Sequence, residues 1–233
     1  MASGKFMHDG CHAFIAPTDL LDSGHEAIVD YVARVLKDVP QDPVKQAVAL
    51  YYAVRDDIRY DPYFHCHLPE HYRASNVLKR KGGFCVCKAG LLCAMGRAAK
   101  IPSRLHFMDV RNHLADPGLV RFLRSDVFVF HGITEFFLEE KWVKSTPVFD
   151  AEYCRKHHVP PLAFDGRKDA ILHAYDEENN IKMAYVADRG VYADIPIDDI
   201  IKAQAEEYGE DFPQRWAMLA DAGAYLLNKL KGL

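Results

Sequence analysis

Ile28, Tyr31, Val32 and Val35 recur at the three-and-four spacing of one helix face, behind Asp22 and Ser23, either of which can cap a helix start. The pattern predicts a first amphipathic helix over 24–37. Asp42 followed by Pro43 is a second helix opening, because the carboxylate accepts orphan amides and proline loses nothing at the first helical position. Val44, Ala47, Val48, Tyr51 and Val54 then line one face to about Asp57. The stretch 84–99 is rich in helix formers and apolar around almost its whole circumference, so it belongs inside the molecule. Gly82-Gly83 before it and Ile101-Pro102 after it supply turn signals at both ends. Runs of β-branched and aromatic residues at 105–110, 127–138 and 141–146, split by polar turns, predict antiparallel strands. A further hairpin over 173–193 turns at 177–180, and Pro213 opens a last helix carrying Trp216, Leu219, Ala220, Gly223, Leu227 and Leu230 on one stripe. Helices first and strands later imply an α+β fold.

Composition narrows the partners. The 233 residues are 49% hydrophobic and 27% charged, enough for one sizeable core, with no repeat or linker to divide it. Twenty-nine Lys and Arg against thirty-three Asp and Glu give a net charge of −4, too mild and too well mixed for a nucleic-acid or anionic-membrane surface. No apolar stretch approaches the roughly 20 residues that span a bilayer, and the first residues hold no signal-peptide core, so a cytoplasmic protein is expected. The six cysteines at 11, 66, 85, 87, 93 and 154 are too sparse for a disulfide scaffold and lack the paired spacing of a structural zinc site. The run His65-Cys66-His67, with His71, lies beside Pro62 and Pro69 and reads as chance proximity among twelve histidines, so no metal and no cofactor are expected.

Chemistry concentrates at the start of the buried helix. Cys85 falls in its first turn, where unpaired amides and the positive end of the dipole favour an anion, so the thiol is expected to ionise easily. The glycines upstream let a substrate approach the backbone, whose amides can hold an oxyanion. Taken by itself, Cys85 reads more readily as a small core residue than as a nucleophile. Cys87 and Cys93 lie elsewhere on the helix and read as packing. A thiolate nucleophile needs a base within reach. Of the histidines, His131 stands out, set in the strongest strand and alternating with Val129, Ile133 and Phe137 on one face, where an imidazole is costly unless paired.

Together these segments resemble the transglutaminase-like superfamily, papain-related thiol enzymes built on a Cys-bearing helix packed against an antiparallel sheet that carries His and Asp. Val54-Arg55-Asp56-Asp57-Ile58-Arg59-Tyr60 is similar to the family's V-R-D-x-I-x-Y. Gly83-Phe84-Cys85, Ala89, Leu91, Arg97-Ala98 and Ile101-Pro102-Ser103-Arg104 follow the order of G-x-C…A-x-L…R-A…G-I-P-A-R, a register that selects Cys85 over Cys87. His131-Gly132-Ile133-Thr134-Glu135 resembles H-A-W-V-E, and Lys141-Trp142-Val143 resembles the motif that opens the Asp-bearing strand. The resemblance spans about residues 25 to 150. It implies a papain-like core over 1–150, completed by a C-terminal α/β extension over 151–233, with Cys85 and His131 as the catalytic pair.

The chain departs from the family at one position. Where W-V-x-x-D-P-T places the orienting Asp, Thr146 stands before Pro147, so the third member is left between Thr146 and Asp150. A neutral orienter stabilises an imidazolium less than a carboxylate does. Asn76, Tyr60 and Tyr72 are the oxyanion candidates beyond the Cys85 amide. The resemblance implies acyl transfer at an amide or peptide bond through a thioester. Hydrolysis is favoured over cross-linking, because nothing suggests a calcium-dependent multidomain enzyme. A non-catalytic peptide-binding domain and an amide-forming or cyclising biosynthetic enzyme are the rival expectations. The expected partner is a peptide or small amide substrate, with no nucleic acid and no membrane.

Overall fold

The computed structural model describes residues 11–64, 68–113, 115–156, 158–172 and 183–218. Helix α1 (Glu26–Val35) buries Ile28, Tyr31 and Val32. Its cap is His25, whose Nδ1 accepts from the Ala27 amide at 3.2 Å, and not Asp22 or Ser23. Asp22 instead accepts from the Ser75 amide at 3.0 Å, a tertiary use that outranks the local one. Helix α2 (Pro43–Asp57) opens as its sequence requires, with Asp42 Oδ1 accepting from the amides of Val44 and Lys45 at 2.9 and 3.1 Å. Strand β1 (Arg59–Tyr60) follows it, and then α3 (Ala74–Arg80), too short for periodicity to announce, which stops on Lys81 in the left-handed conformation. Strand β2 (Gly82–Gly83) runs parallel to β1 and delivers the chain to α4 (Cys85–Ala98).

Helix α4 is the core, buried from Val86 through Arg97. Two of its buried residues are cations, and each is satisfied by carbonyls rather than carboxylates. Lys88 donates to the carbonyls of Arg55 and Ile58 at 3.0 and 2.5 Å, and burial lowers its ammonium to about 7. Arg97 spreads its donors over the carbonyls of Ala16, Ser103 and Ala193, tying three distant segments to one helix end.

Against α4 lies one antiparallel sheet in the order β5-β4-β3-β6. Its strands are β3 (Ser103–Asn112), β4 (Val127–Leu138), β5 (Lys141–Ser145) and β6 (Met183–Tyr192). Glu139 and Glu140, at φ 47° and 67°, form the two-residue turn between β4 and β5, the left-handed pair that matches strand twist. Thr134 Oγ1 donates to the Ala89 carbonyl at 2.8 Å, joining β4 to the helix. Gly132 makes that approach possible: a Cβ there would lie 3.1 Å from both Ala89 Cβ and Val86 Cα.

The protein is therefore α+β, as its pattern of elements implies. The short helices α5 (Pro117–Leu123) and α6 (Ala151–Lys156), and the longer α7 (Ile197–Tyr208), were not marked by the hydrophobic pattern. Of the expected 173–193 hairpin, the second strand is β6, paired to β3, while the turn at 177–180 lies outside the described residues. Residues 212–218 are helical, and the rest of the expected last helix is likewise outside them. No described helix is long and apolar enough to cross a membrane.

Candidate active site

Cys85 is the first residue of α4, behind Phe84, whose side chain offers no cap. The first-turn amides of Cys85 and Val86 are thus left for the sulfur, and together with the Gly132 amide from β4 they draw the thiol down. Burial nevertheless dominates, and pushes it up to about 11. The residue is partly open to solvent, yet enough protein surrounds the sulfur for desolvation to win. The expectation of a readily ionised thiol is thereby corrected.

His131 lies on β4 opposite Met108 and is 5% exposed. Its Nε2 has no hydrogen-bond partner among the described residues, and burial alone lowers the imidazole to about 4. Cys85 and His131 line one cavity of about 20 Å³, shared with Tyr60, Asn112 and an apolar wall that includes Phe128 and Val148. That space holds about one water molecule. At neutral pH the pair stands as thiol and neutral imidazole.

The alternation expected along β4 fails immediately before His131. Met108 pairs with His131 and Val110 with Phe128, so Val129 and Phe130 together face the single residue Asp109. This is a β-bulge, and Phe130 holds it at φ 54°, a conformation that costs a bulky residue about 1–3 kcal/mol. Phe128 and His131, three apart, would point to opposite faces of a regular strand. With the extra residue between them they line the same cavity. Val129 is accordingly out of step with His131, whereas Ile133 and Phe137 keep its phase.

Neither proposed orienter is hydrogen-bonded to the ring. Thr146 is buried, and its Oγ1 also lacks a hydrogen-bond partner among the described residues. Continuing the Thr134–Ser145 register by one pair sets Thr146 opposite Ile133, on the face His131 uses. Asp150 is committed elsewhere: its Oδ2 accepts from the Tyr60 amide at 2.8 Å and its Oδ1 from the Tyr153 amide at 2.7 Å. It opens α6 and fixes the backbone of Tyr60. Among the oxyanion candidates, Tyr60 lines the cavity, and burial raises its phenol well above the ordinary value. Tyr72 belongs to a separate space with Phe84 and Trp216, and Asn76 donates to the Glu70 carbonyl at 2.9 Å. Asn112, at the end of β3, lines the cavity without any spacing rule that could have singled it out. Of the His65-Cys66-His67 run only the neighbouring His71 is described, and no group of three potential metal ligands occurs among the described residues.

Tyr60 and Asn112 also wall a larger chamber of about 280 Å³, completed by Tyr63, Tyr153, Asp116 and Lys156 among others. Its volume lies at the lower end of those that hold small ligands. A second opening of about 40 Å³ reaches Cys85 past Phe84, Gln204 and Tyr208.

A helix that presents a thiol beside a histidine-bearing antiparallel sheet is the layout of a papain-like thiol enzyme. The model of the transglutaminase-like superfamily matches residues 30–147, and the chain belongs to that family. Among solved structures, a provisionally named cysteine protease from Cytophaga hutchinsonii superposes with a TM-score of 0.52 at 13% identity over 83% of this chain. The chain spans half the length of that protein (50%), and the likeness is one of fold. No curated protein matches the sequence.

Proposed function

We propose that the protein is a cysteine-dependent acyl-transfer enzyme acting on amide or peptide bonds, with water as the favoured acceptor. The observation that supports this is the single cavity in which the Cys85 sulfur, drawn on by three backbone amides, meets an imidazole with an unused nitrogen. Because the resting pair is neutral, proton transfer accompanies attack. His131 takes the Cys85 proton as sulfur bonds to the carbonyl carbon, and the first-turn amides hold the oxygen as it becomes negative. The imidazolium then protonates the departing amine, the C–N bond breaks and a thioester remains. Water entering the same space gives its proton to His131, attacks the thioester and releases the acid, and the thiolate recovers the proton. Only a water-sized gap separates the walls of the cavity, so the bulk of a substrate belongs in the chamber beyond Tyr60 and Asn112.

The test is p-nitrophenyl acetate followed by intact-mass analysis. Acetylated Cys85 and a burst of nitrophenolate are expected, absent in Cys85→Ala and slowed about 10²–10⁴-fold in His131→Ala. A Cys85 that iodoacetamide alkylates with an apparent pKa near 8.5, no faster with His131 than without it, overturns the reading. One observation favours the non-catalytic alternative: Thr146 fills the carboxylate position and leaves the ring without a charged orienter. Under that alternative Cys85 never acylates.

A further inference from the structure

The bulge before His131 frees two backbone amides from the sheet ladder, and each meets a dedicated side-chain acceptor. The Val129 amide donates to Tyr208 Oη at 3.0 Å, from α7. The Phe130 amide donates to Asp109 Oδ1 at 3.0 Å, from the strand alongside. Asp109 is 4% exposed, and Arg189 clamps its two oxygens through Nε at 3.0 Å and Nη2 at 2.6 Å. Arg189 is itself an irregularity, the extra residue of β6 between the pairs Phe107–Gly190 and Met108–Asp188. Its guanidinium lies 5.3 Å from the Phe130 ring centre. One buried carboxylate therefore ties the strained bulge residue Phe130 of β4 to Arg189, one of the extra residues of β6. Among the described residues, Phe130 is the one non-glycine inside a strand with positive φ, so the conformation requires such a restraint.

We propose that Asp109 and Tyr208 are positioning residues for His131: by capturing the Phe130 and Val129 amides they hold the bulge that turns the imidazole toward Cys85. Without the bulge, a one-residue change of phase carries either Phe128 or His131 to the opposite face of the sheet. Arg189 keeps the Asp109 carboxylate aimed at the amide. This inference rests on His131 being the base, but its test reads the place of the ring and not turnover.

Replacing the ion pair by apolar residues of similar size, Asp109→Leu with Arg189→Met, removes the Phe130 acceptor without leaving a buried charge, a change that folds tolerate. Tyr208→Phe removes only the second acceptor and keeps the ring. By NMR of the imidazole nitrogens, His131 in the double variant is expected to titrate at least one pH unit above its native position, as the ring leaves its cavity. The pH profile of Cys85 alkylation by iodoacetamide should move with it, and Tyr208→Phe should shift both in the same direction by less. Adding Phe130→Gly, which adopts φ 54° without strain, should restore the native titration to the double variant. A folded double variant whose His131 titration is unmoved overturns the proposal, as does failure of Phe130→Gly to restore it. A native His131 titration that responds to these variants, while alkylation of Cys85 ignores His131→Ala, upholds the positioning and sinks the catalytic reading instead.

Discussion

Two histidines on adjacent strands of one sheet have opposite surroundings. His106, on β3, contacts Glu135 Oε1 through Nδ1 at 2.8 Å and Asp188 Oδ1 through Nε2 at 2.9 Å, while Arg104 donates to the second Glu135 oxygen at 2.6 Å. The hydrogen bond to Glu135 raises the His106 imidazole, against burial, and the ring ties β4, β3 and β6 together through its two carboxylate partners. His131, on β4 beside Met108, has among the described residues no carboxylate partner and an unused Nε2, and its pKa is lowered. On the proposed mechanism, the histidine that resembles a triad member by its hydrogen bonds is thus the structural one. A ring already locked between carboxylates has no nitrogen left for a thiol, whereas a bare ring in a small cavity can take a proton and give it back.

The largest effect that sharpens this contrast is kinetic. His131→Gln should lower acylation of Cys85 by about 10²–10⁴-fold with the fold intact, while His106→Gln should leave the pH profile of Cys85 alkylation unchanged; the reverse result breaks the comparison. Next comes Glu135→Gln, which leaves Arg104 and the buried His106 without their shared carboxylate. It should cost about 3 kcal/mol in urea denaturation, with no change in the titration of His131.

The pH dependence of stability separates the rings by sign. His131 has a folded pKa of about 4 against 6.5 unfolded, so between these values the unfolded chain binds the extra proton. Stability is therefore lost as pH falls from 6.5 to 4, by about 3 kcal/mol, and His131→Gln should abolish that component. For His106 the folded pKa is the higher one, so its contribution is complete below 6.5 and is lost as pH rises through the folded value; urea titrations of His106→Gln should show that loss removed. The smallest expected change is a gain. Thr146→Asp should place a carboxylate on the face of His131 and raise the ring. The neutral-pH alkylation rate of Cys85 should then increase, roughly tenfold for each pH unit by which the imidazole titration rises. An unchanged rate would show that position 146 does not reach the imidazole.

Much of this fold was legible in the chain. Asp42-Pro43 opened α2 at the expected residue, because cap and proline act through neighbouring amides alone. The apolar run from 84 became the central helix, because only an interior position can satisfy a surface apolar on every side. The ordered Cys and His blocks led to the family that the comparison identifies. The cap of α1 was misread, since Asp22 answers to Ser75, fifty-three residues away, and no local rule weighs such a partner.

The sequence by itself determined the α+β class, the central helix with Cys85 at its tip and the strand that carries His131. Tertiary structure decided the rest: that burial outweighs three amides at the thiol, that Asp150 caps a helix instead of orienting the ring, and that a bulge sets the phase of His131. The physical reason is range. Caps, turns and periodicity act within a few residues of the chain, whereas desolvation and the pairing of a strained amide with a carboxylate twenty-one positions away exist only once distant segments have packed together.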